Sequence, residues 1–481
     1  MTELTSNSHG HGAPPKRVER DSMGPLEVPE GAYYGASTRR AFQNFPVSGE
    51  RFDRRFIWAL GTIKHSAAVA NRDLGLIDAR KADAIAQAAK EVADGEFDDQ
   101  FVLDIFQTGS GTSTNTNANE VIANRATELL GGAFGSKLVH PNDDVNHGQS
   151  SNDVIPTTIH LSALAELHGE LLPGIKRLRE ALDKKREEFW PIIKTGRTHL
   201  QDATPIRLGQ EFLGYVGQMD RALVRLGWAQ QELEEVALGG NAVGTGINMH
   251  PEFPGRVCEI ISRRTGITVR ETTNHFQAQS TIDGVVSASG AVRTVAVSLL
   301  KMANDVRWMG SGPRSGLGEL DIPAVQPGSS IMPGKVNPVI AESLTQVCAM
   351  VIGNDTTIVV AGQSGNFELN VMLPIAARSL LHSIRYLGTS ARNFADQLIS
   401  GLSATSRGPD QVESGLMLVT ALAPEIGYDA AAALAKEAYQ SGRTIRDLAR
   451  ERTALSDADL DRILDPAAMV EPGRSFASAG G

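Results

Sequence analysis

The chain has 481 residues, and its 46 Lys and Arg against 56 Asp and Glu give a formal net charge of −10. This mixed, mildly acidic balance argues against an extended nucleic-acid-binding surface, which would be basic. Hydrophobic residues make up 41% and aromatic residues 5%, so we expect a soluble protein with an aliphatic, helix-rich core. The two cysteines, Cys258 and Cys348, are far apart, which excludes a disulfide framework and a cysteine-based metal site.

The N-terminal segment is polar and contains Gly, Pro and His, so we predict a disordered tail at residues 1–17. It has no apolar region of the kind found in a secretory signal, and it is no convincing transit peptide. No uninterrupted apolar run approaches the roughly 18 residues of a membrane span. We therefore expect a cytoplasmic protein without a membrane partner.

The rest of the chain divides by its pattern into three predicted domains, and the predicted fold class is mainly all-α. Residues 18–148 are mixed and loop-rich but mostly helical, residues 149–406 form a long-helix bundle, and residues 407–481 form a small helical domain. A kink is predicted at Pro173. The predicted helical stretches are about 157–190, 205–236, 281–309, 338–360, 370–398, 429–441 and 443–453.

The most informative segment is PGSSIMPGKVNP, residues 327–338. Asn337 is a good N-cap and Pro338 fits the first helical position, so a helix is predicted to begin here. The hydroxyls, the lysine and the free amides before a helix N-terminus favour an anion site. A phosphate-binding P-loop is disfavoured because Val336 stands where Ser or Thr is needed and no strand precedes the segment. A Gly/Pro linker without a ligand is the structural alternative.

Three further polar segments have a structural and a functional interpretation. Thr198-His199 lies between two helical stretches, and a lone histidine is more often structural than catalytic. Ser150–Asp153 and Gly109–Thr112 stand at predicted helix starts, where each is an N-cap by default. Residues 140–144, HPNDD, contain metal-ligand types but are more typical of a turn.

The co-occurrence of these segments decides between the interpretations. GSGTSTN, HPNDDVN, QSSNDVIP, GRTHLQDATP, GTGIN, SGPRSGLGEL, PGSSIMPGKVNP and GNDTTIVVAGQSGNFELNV follow one another in this order. The set closely resembles the class II fumarases of the fumarase/aspartase superfamily, over nearly the whole chain after residue 17. The sequence departs from the fumarase pattern at Ser37, usually Gln, and at Asn241, usually Thr, which concerns fine specificity.

The resemblance implies a fumarate hydratase, which reversibly hydrates fumarate to L-malate in the citric acid cycle through an aci-carboxylate intermediate. It implies that Ser329 is the base that removes the C3 proton of malate. His199 resembles the general acid or base that handles water, and Glu342 would orient it. Glu342 stands seven residues after Lys335, so we predict both on one side of the same helix.

The resemblance also implies two sets of binding residues. No cofactor and no metal is expected, because neutral donors with a few cations suffice for a dicarboxylate. The predicted substrate-binding residues are Ser110, Gly111, Thr112, Ser150, Ser151, Asn152, Thr198, Ser330, Lys335, Val336 and Asn337. A second carboxylate site would involve Lys137, His140, Pro141, Asn142 and Asp143.

The family fold implied by the resemblance has three mostly helical domains, whose central helices assemble into a tetrameric core. Each active site would combine segments of three subunits of a homotetramer. The alternatives are aspartate ammonia-lyase or another lyase of the superfamily and, as a different class, a non-catalytic structural homologue. The joint presence of Ser329, His199 and Lys335 argues against the last of these.

Overall fold

The chain is mainly α-helical, as its composition and periodicity predict. The computed structural model describes residues 15–471. Residues 1–14 of the predicted tail lie outside the described part, whereas Lys16 and Arg17 begin the first strand. The α-helices of the described residues are α1 (Ala36–Asn44), α2 (Arg54–Asp73), α3 (Ala79–Asp94), α4 (Thr112–Leu129), α5 (Ser151–Glu166), α6 (Leu172–Phe189), α7 (Leu208–Leu233), α8 (Phe253–Thr265), α9 (His275–Ser280), α10 (Asp283–Met309), α11 (Val339–Gly362), α12 (Leu373–Gln397), α13 (Arg407–Asp410), α14 (Ala423–Ile426), α15 (Tyr428–Ser441), α16 (Ile445–Arg452), α17 (Asp457–Ile463) and α18 (Pro466–Met469).

Short strands pair only two at a time within residues 15–471. The pairs β1–β2, β3–β4, β7–β10 and β8–β9 are antiparallel, and β5–β6 is parallel. The strands are β1 (Lys16–Asp21), β2 (Gly24–Pro29), β3 (Ile193–Thr198), β4 (Gln201–Arg207), β5 (Glu235–Val236), β6 (Arg270–Glu271), β7 (Leu320–Asp321), β8 (Gly365–Asn366), β9 (Leu369–Asn370) and β10 (Ser403–Ala404).

The predicted helical stretches are confirmed, with ends that differ by a few residues. The stretches predicted from about residues 205, 281, 338 and 370 are α7, α10, α11 and α12. The predicted interruption near Pro173 is a π-helical turn, Leu167–Leu171, after which α6 carries Pro173 in its first turn. A proline fits there because a first-turn N–H has no intrahelical acceptor to lose.

The chain separates into two compact units. Unit 1 comprises Met1–Glu170, Arg225–Arg293 and Met350–Arg385, and unit 2 comprises Leu171–Val224, Thr294–Ala349 and Tyr386–Gly481. The division into three domains with boundaries at 148 and 406 stays a prediction.

Small residues allow close helix packing inside each unit. In unit 1, a Cβ on Gly61 of α2 would lie 2.7 Å from the backbone nitrogen of Ala93 in α3. In unit 2, a Cβ on Gly174 of α6 would lie 2.3 Å from the carbonyl oxygen of Gly388 in α12. Both distances are shorter than any real Cβ contact, so these helix pairs need glycine.

Two helices of the described chain, α10 and α11, are long and apolar enough to span a membrane by length and composition. Only 44% and 39% of the residues in their most apolar windows are buried. The core helix of a water-soluble protein passes the same test, so the observation identifies apolar helix surface and nothing more.

Candidate active site

The predicted catalytic and substrate-binding residues form three groups, each at an end of a helix or strand. The hydroxyl cluster, defined as Ser110, Thr112 and Ser151, belongs to unit 1. The turn between β3 and β4 and the 328–337 loop both belong to unit 2. Among residues 15–471, no three His, Cys, Asp or Glu side chains come together as metal ligands.

The hydroxyl cluster joins two helix N-termini. Thr112 is the first residue of α4 and Ser151 is the first residue of α5. The Thr112 Oγ1 atom lies 2.7 Å from Ser151 Oγ and 2.7 Å from Ser110 Oγ. A hydroxyl both donates and accepts, so the three can turn together to donate to one anion.

Glycines on both sides of Ser110 fix the position of this cluster. A Cβ on Gly109 would lie 1.8 Å from the carbonyl oxygen of Val371, and the Gly109 carbonyl accepts a hydrogen bond from Leu373 N at 2.9 Å. Gly111 precedes α4 with φ +71°, a left-handed conformation that favours glycine. The GSG sequence thus serves close packing and helix entry, with no preceding strand to make it a nucleotide-binding loop.

The structural interpretation of Ser150 as an N-cap is confirmed. Its Oγ accepts a hydrogen bond from Asn152 N at 3.2 Å, and Asp153 Oδ1 accepts one from Ser150 N at 2.9 Å. This reciprocal arrangement is a capping box. The Asn152 side chain donates to the Ala242 carbonyl at 2.9 Å, which ties the start of α5 to the loop after β5.

Two buried charged residues beneath this segment were missed by the sequence analysis. Asp153 Oδ2 accepts hydrogen bonds from Gly239 N at 3.1 Å and Asn241 N at 2.9 Å. Burial raises the pKa of Asp153 to about 6, against the lowering by its backbone donors and Lys64. Burial lowers the pKa of Lys64 to about 7, and Asp153 opposes that shift.

The β3–β4 turn presents His199 at the tip of a hairpin. Thr198 pairs with Gln201, so His199 and Leu200 alone form the turn. Both have left-handed backbone conformations, with φ +57° and +60°. Such turns match the twist of a hairpin but usually contain Asn or Gly. A histidine and a leucine here carry backbone strain, which is a reason to suspect function.

The base of this hairpin is held by a buried ion network in unit 2. The Lys194 ammonium, 2% exposed, lies 2.9 Å from Glu211 Oε1 and 3.1 Å from Glu319 Oε2. Arg197 Nη1 donates to Glu319 Oε1 at 2.7 Å. Burial raises the pKa of Glu211, and Lys194 opposes the shift. The network anchors β3, the strand that leads into the His199 turn.

The 328–337 loop surrounds the Ser329 hydroxyl with backbone donors. Ser329 Oγ accepts hydrogen bonds from Ile331 N at 3.2 Å and Met332 N at 3.0 Å. Donors of this kind favour the deprotonated form of an oxygen acid. Ser330, Lys335 and Val336 are exposed.

Two expectations for this loop need correction. α11 begins at Val339, and the Pro338 carbonyl accepts its first hydrogen bond, from Glu342 N at 3.0 Å. Asn337 is therefore not the N-cap; its side-chain amide instead donates to the Gly328 carbonyl and closes the loop. Lys335 lies before the helix, so a seven-residue spacing does not put it on the same helical face as Glu342.

Replacing Gly328 by alanine is expected to impair turnover more than stability. A Cβ at Gly328 would lie 2.0 Å from the Lys335 carbonyl oxygen, so the loop could not close as it does. We expect kcat to fall at least tenfold, with a melting temperature close to that of the wild type because the loop is largely exposed. Gly31→Ala, with open space around its Cβ, is the matched control. Wild-type kcat in Gly328→Ala would show that closure of the loop is unimportant.

His199, Ser329 and Glu342 do not meet in this chain, although all three belong to unit 2. The described residues contain no hydrogen bond or ion pair between any two of them. His199 lines a cavity of about 770 Å³, whereas Ser329 and Lys335 line another of about 420 Å³.

Most of the predicted second carboxylate site lies together in unit 1. Lys137, His140, Pro141 and Asn142 line a cavity of about 340 Å³, and Asp143 does not. His140 Nδ1 accepts hydrogen bonds from Asn142 N and Asp143 N at 3.3 and 3.1 Å. The imidazole thus caps the π-helical turn Pro141–Val145, which confirms a turn in this segment.

The two residues that depart from the fumarase pattern lie near these groups. Ser37 lines the cavity of the predicted second site. Asn241 has φ +55°, and its side-chain amide donates to the Ile247 carbonyl at 3.0 Å. Asparagine tolerates this left-handed conformation better than a β-branched threonine does.

Comparison with known proteins finds matches along most of the chain. A family model described as lyase matches residues 24–353, and one described as the fumarase C C-terminus matches residues 418–471. The chain is 52% identical to the class II fumarate hydratase of Halobacterium salinarum, covering 95% of this chain and 97% of that protein. It is 48% identical to the mitochondrial fumarate hydratase of Saccharomyces cerevisiae, covering 95% and 94%.

The fold agrees as well. The crystal structure of a class II fumarase from Schistosoma mansoni superimposes with a TM-score of 0.93 at 40% identity, covering 95% of this chain and all of that one. The chain therefore belongs to the class II fumarate hydratase family.

Proposed function

We propose that this chain catalyses the reversible hydration of fumarate to L-malate. The observation that carries the proposal is the Ser329 hydroxyl, which accepts two backbone N–H donors in a loop that also bears Lys335. This local chemistry suits proton abstraction next to a carboxylate. Relatives with about half of their residues identical over 95% of the chain bear the name fumarate hydratase class II.

The difficult step is the removal of a weakly acidic C3 proton from malate. The electron pair left on C3 delocalises into the adjacent carboxylate and produces the doubly charged aci-carboxylate. Preorganised donors and a cation at that position lower the barrier because they match charge that develops in the transition state. In the proposal Ser329 takes the proton, while Lys335, Asn337 and loop amides stabilise the aci-carboxylate.

His199 is proposed to protonate the departing hydroxyl of malate and, in the hydration direction, to deprotonate water. An imidazole suits both roles near neutral pH. Glu342 is proposed to orient the ring and to stabilise its protonated form, by the logic of a carboxylate behind an imidazole.

The other carboxylate of the substrate is proposed to bind the hydroxyl cluster. Three hydroxyls linked at 2.7 Å offer neutral donors in one place. Thr198, Ser150, Asn152, Ser330, Gly111 and Val336 complete the proposed substrate contacts. A second carboxylate site is proposed at the cavity lined by Lys137, His140, Pro141 and Asn142, with Asp143 beside it in the sequence.

The complete site is proposed to form in a homotetramer, from segments of three subunits. Supporting this, His199 and Ser329 line different cavities of unit 2, although the reaction needs both at one substrate. The long helices also leave apolar side chains exposed, among them Val297, Trp308 and Val360 at 51%, 54% and 51%. Exposed apolar side chains on these helices are available for contact with other subunits.

The compartment stays a prediction. Relatives in bacteria and archaea carry no compartment in their names, whereas the yeast relative is named mitochondrial. A cytoplasmic location is proposed for this chain.

Incubation with L-malate and, separately, with L-aspartate tests the reaction. We expect absorbance of the conjugated double bond of fumarate to develop from malate and not from aspartate. Fumarate from aspartate alone would identify an ammonia-lyase and contradict the proposal. No product from either substrate, with an intact tetramer, would favour a non-catalytic homologue.

A further inference from the structure

A buried lysine stands at the centre of a polar network in unit 1. Lys64 lies on α2 among apolar residues and is 0% exposed. Its ammonium donates to Asn146 Oδ1 at 2.8 Å and to Gln149 Oε1 at 3.0 Å. Both acceptors belong to the turn that leads into Ser150 and α5.

Asn146 joins this lysine to the helix that carries Thr112. Its Oδ1 atom also accepts hydrogen bonds from the Asn115 and Asn119 amides of α4, both at 3.2 Å. Its own amide donates to the Gln149 carbonyl at 2.9 Å. The Asn146 side-chain oxygen therefore accepts hydrogen bonds from both α2 and α4. Asn146 itself belongs to the turn before α5, so it links all three helices.

Of these donors, the Lys64 amine makes the strongest bond when it is protonated, because it is then charged. Asp153 attracts Lys64 electrostatically, and its carboxylate accepts hydrogen bonds from Ser150 N in the same segment and from Asn241 N in the loop after β5. Lys64 bonds to the Gln149 side chain, and Asp153 bonds to the Ser150 backbone, so the two charged residues hold the chain segment from Gln149 to Asp153. Burying a charged amine costs desolvation free energy that its hydrogen bonds to neutral amides must offset, so stability alone does not account for this lysine.

We propose that Lys64 is a positioning residue for the hydroxyl cluster. Through Asn146 it sets the separation of the α4 and α5 N-termini, and so keeps Thr112 Oγ1 and Ser151 Oγ at 2.7 Å. Its side chain is fully buried and already bonded to two acceptors, which distinguishes it from a binding residue. The inference rests on the proposed function in one respect: it assumes that a carboxylate of the substrate binds the hydroxyl cluster.

Lys64→Met tests the inference, because methionine retains most of the length of the lysine side chain but has no donor. Loss of a group that binds the substrate equally well in the ground state and the transition state raises KM and leaves kcat unchanged. We expect KM for malate to rise about tenfold or more, and kcat to change by less than about threefold. The matched control is Lys185→Met, another buried lysine, bonded to the Leu402 carbonyl and Glu188. It should leave KM unchanged.

A second pair of variants keeps the lysine and changes its acceptor. Asn146→Ala removes the shared oxygen, so it should raise KM as Lys64→Met does, and the double variant should be less than additive. Asn146→Asp retains an oxygen for all three donors but loses the amide that donates to the Gln149 carbonyl, so it should raise KM less than Asn146→Ala does. These variants decide the matter if Lys64→Met fails to fold.

The inference is overturned if KM stays within twofold of wild type in folded Lys64→Met or Asn146→Ala, or if Lys185→Met raises KM equally. A crystal structure of Lys64→Met provides a test without turnover. The Thr112–Ser151 hydrogen bond should be lost; an unchanged 2.7 Å contact would refute the positioning role. If the wild type were inactive on malate, the proposed function would fail, and this distance would still test Lys64.

Discussion

Ser329→Ala is expected to reduce kcat by about 10³-fold or more in both directions, at the upper end of what a positioned acid or base contributes. Alanine keeps the backbone of the 328–337 loop free to fold but removes the oxygen that takes the proton. The two amides that donate to Ser329 Oγ lose their acceptor, at a loop that is largely exposed to water. Stability should therefore change little.

The measurement is steady-state turnover of malate and of fumarate, with light scattering to check the assembly. Ser330→Ala is the matched control, because it removes the same hydroxyl group from the next residue of the same exposed loop. It should raise KM without a comparable loss of kcat, as expected for a binding group. If Ser329→Ala retained wild-type kcat, another group would have to be the base.

Exchange of the C3 proton separates chemistry from product release in the same variant. In deuterated water, the wild type should exchange the C3 proton of malate, because Ser329 returns solvent-derived hydrogen to the carbanion. Ser329→Ala should show no exchange above background. Exchange at the wild-type rate, with slow overall turnover, would place the defect after proton transfer.

The helices could be predicted from the sequence because their apolar residues recur at helical spacing over many turns. The loop 328–337 was recognised from its residue types, but its closure depends on the Gly328 backbone and the Lys335 carbonyl meeting in space. Asn337 was assigned to the helix by its residue type, although its amide reaches nine residues back along the chain instead. The preference of asparagine for the N-cap position was overridden by this hydrogen bond to Gly328, which forms only when the loop folds.

Other features could not be predicted for a different reason. A single lysine in an amphipathic helix is normally solvated, so nothing local identifies Lys64 as buried. Its significance depends on acceptors 82 and 85 residues away. The His199-Leu200 turn was expected only as an interhelical loop, because these residue types are unusual in a left-handed two-residue turn.

His199→Asn is expected to lower kcat by about 10²-fold or more while KM changes by only a few-fold, because proton transfer to and from water is lost but substrate binding is not. Asparagine is chosen for the backbone: it adopts left-handed conformations readily, so φ +57° at this position is retained. The hairpin should keep its shape, and the loss should come from the imidazole alone.

The neighbouring turn residue supplies the control. Leu200 has φ +60° and is 63% exposed, so Leu200→Asn makes the same kind of change without touching a titratable group. Leu200→Asn should keep kcat within about threefold of the wild-type value. If kcat fell equally in both variants, the effect would come from the geometry of the turn. Glu342→Gln should lower kcat less than His199→Asn does, since the imidazole remains and only its proposed orienting carboxylate is lost. A rise in KM alone for His199→Asn would make His199 a binding group, and the acid–base role would then fall to another residue.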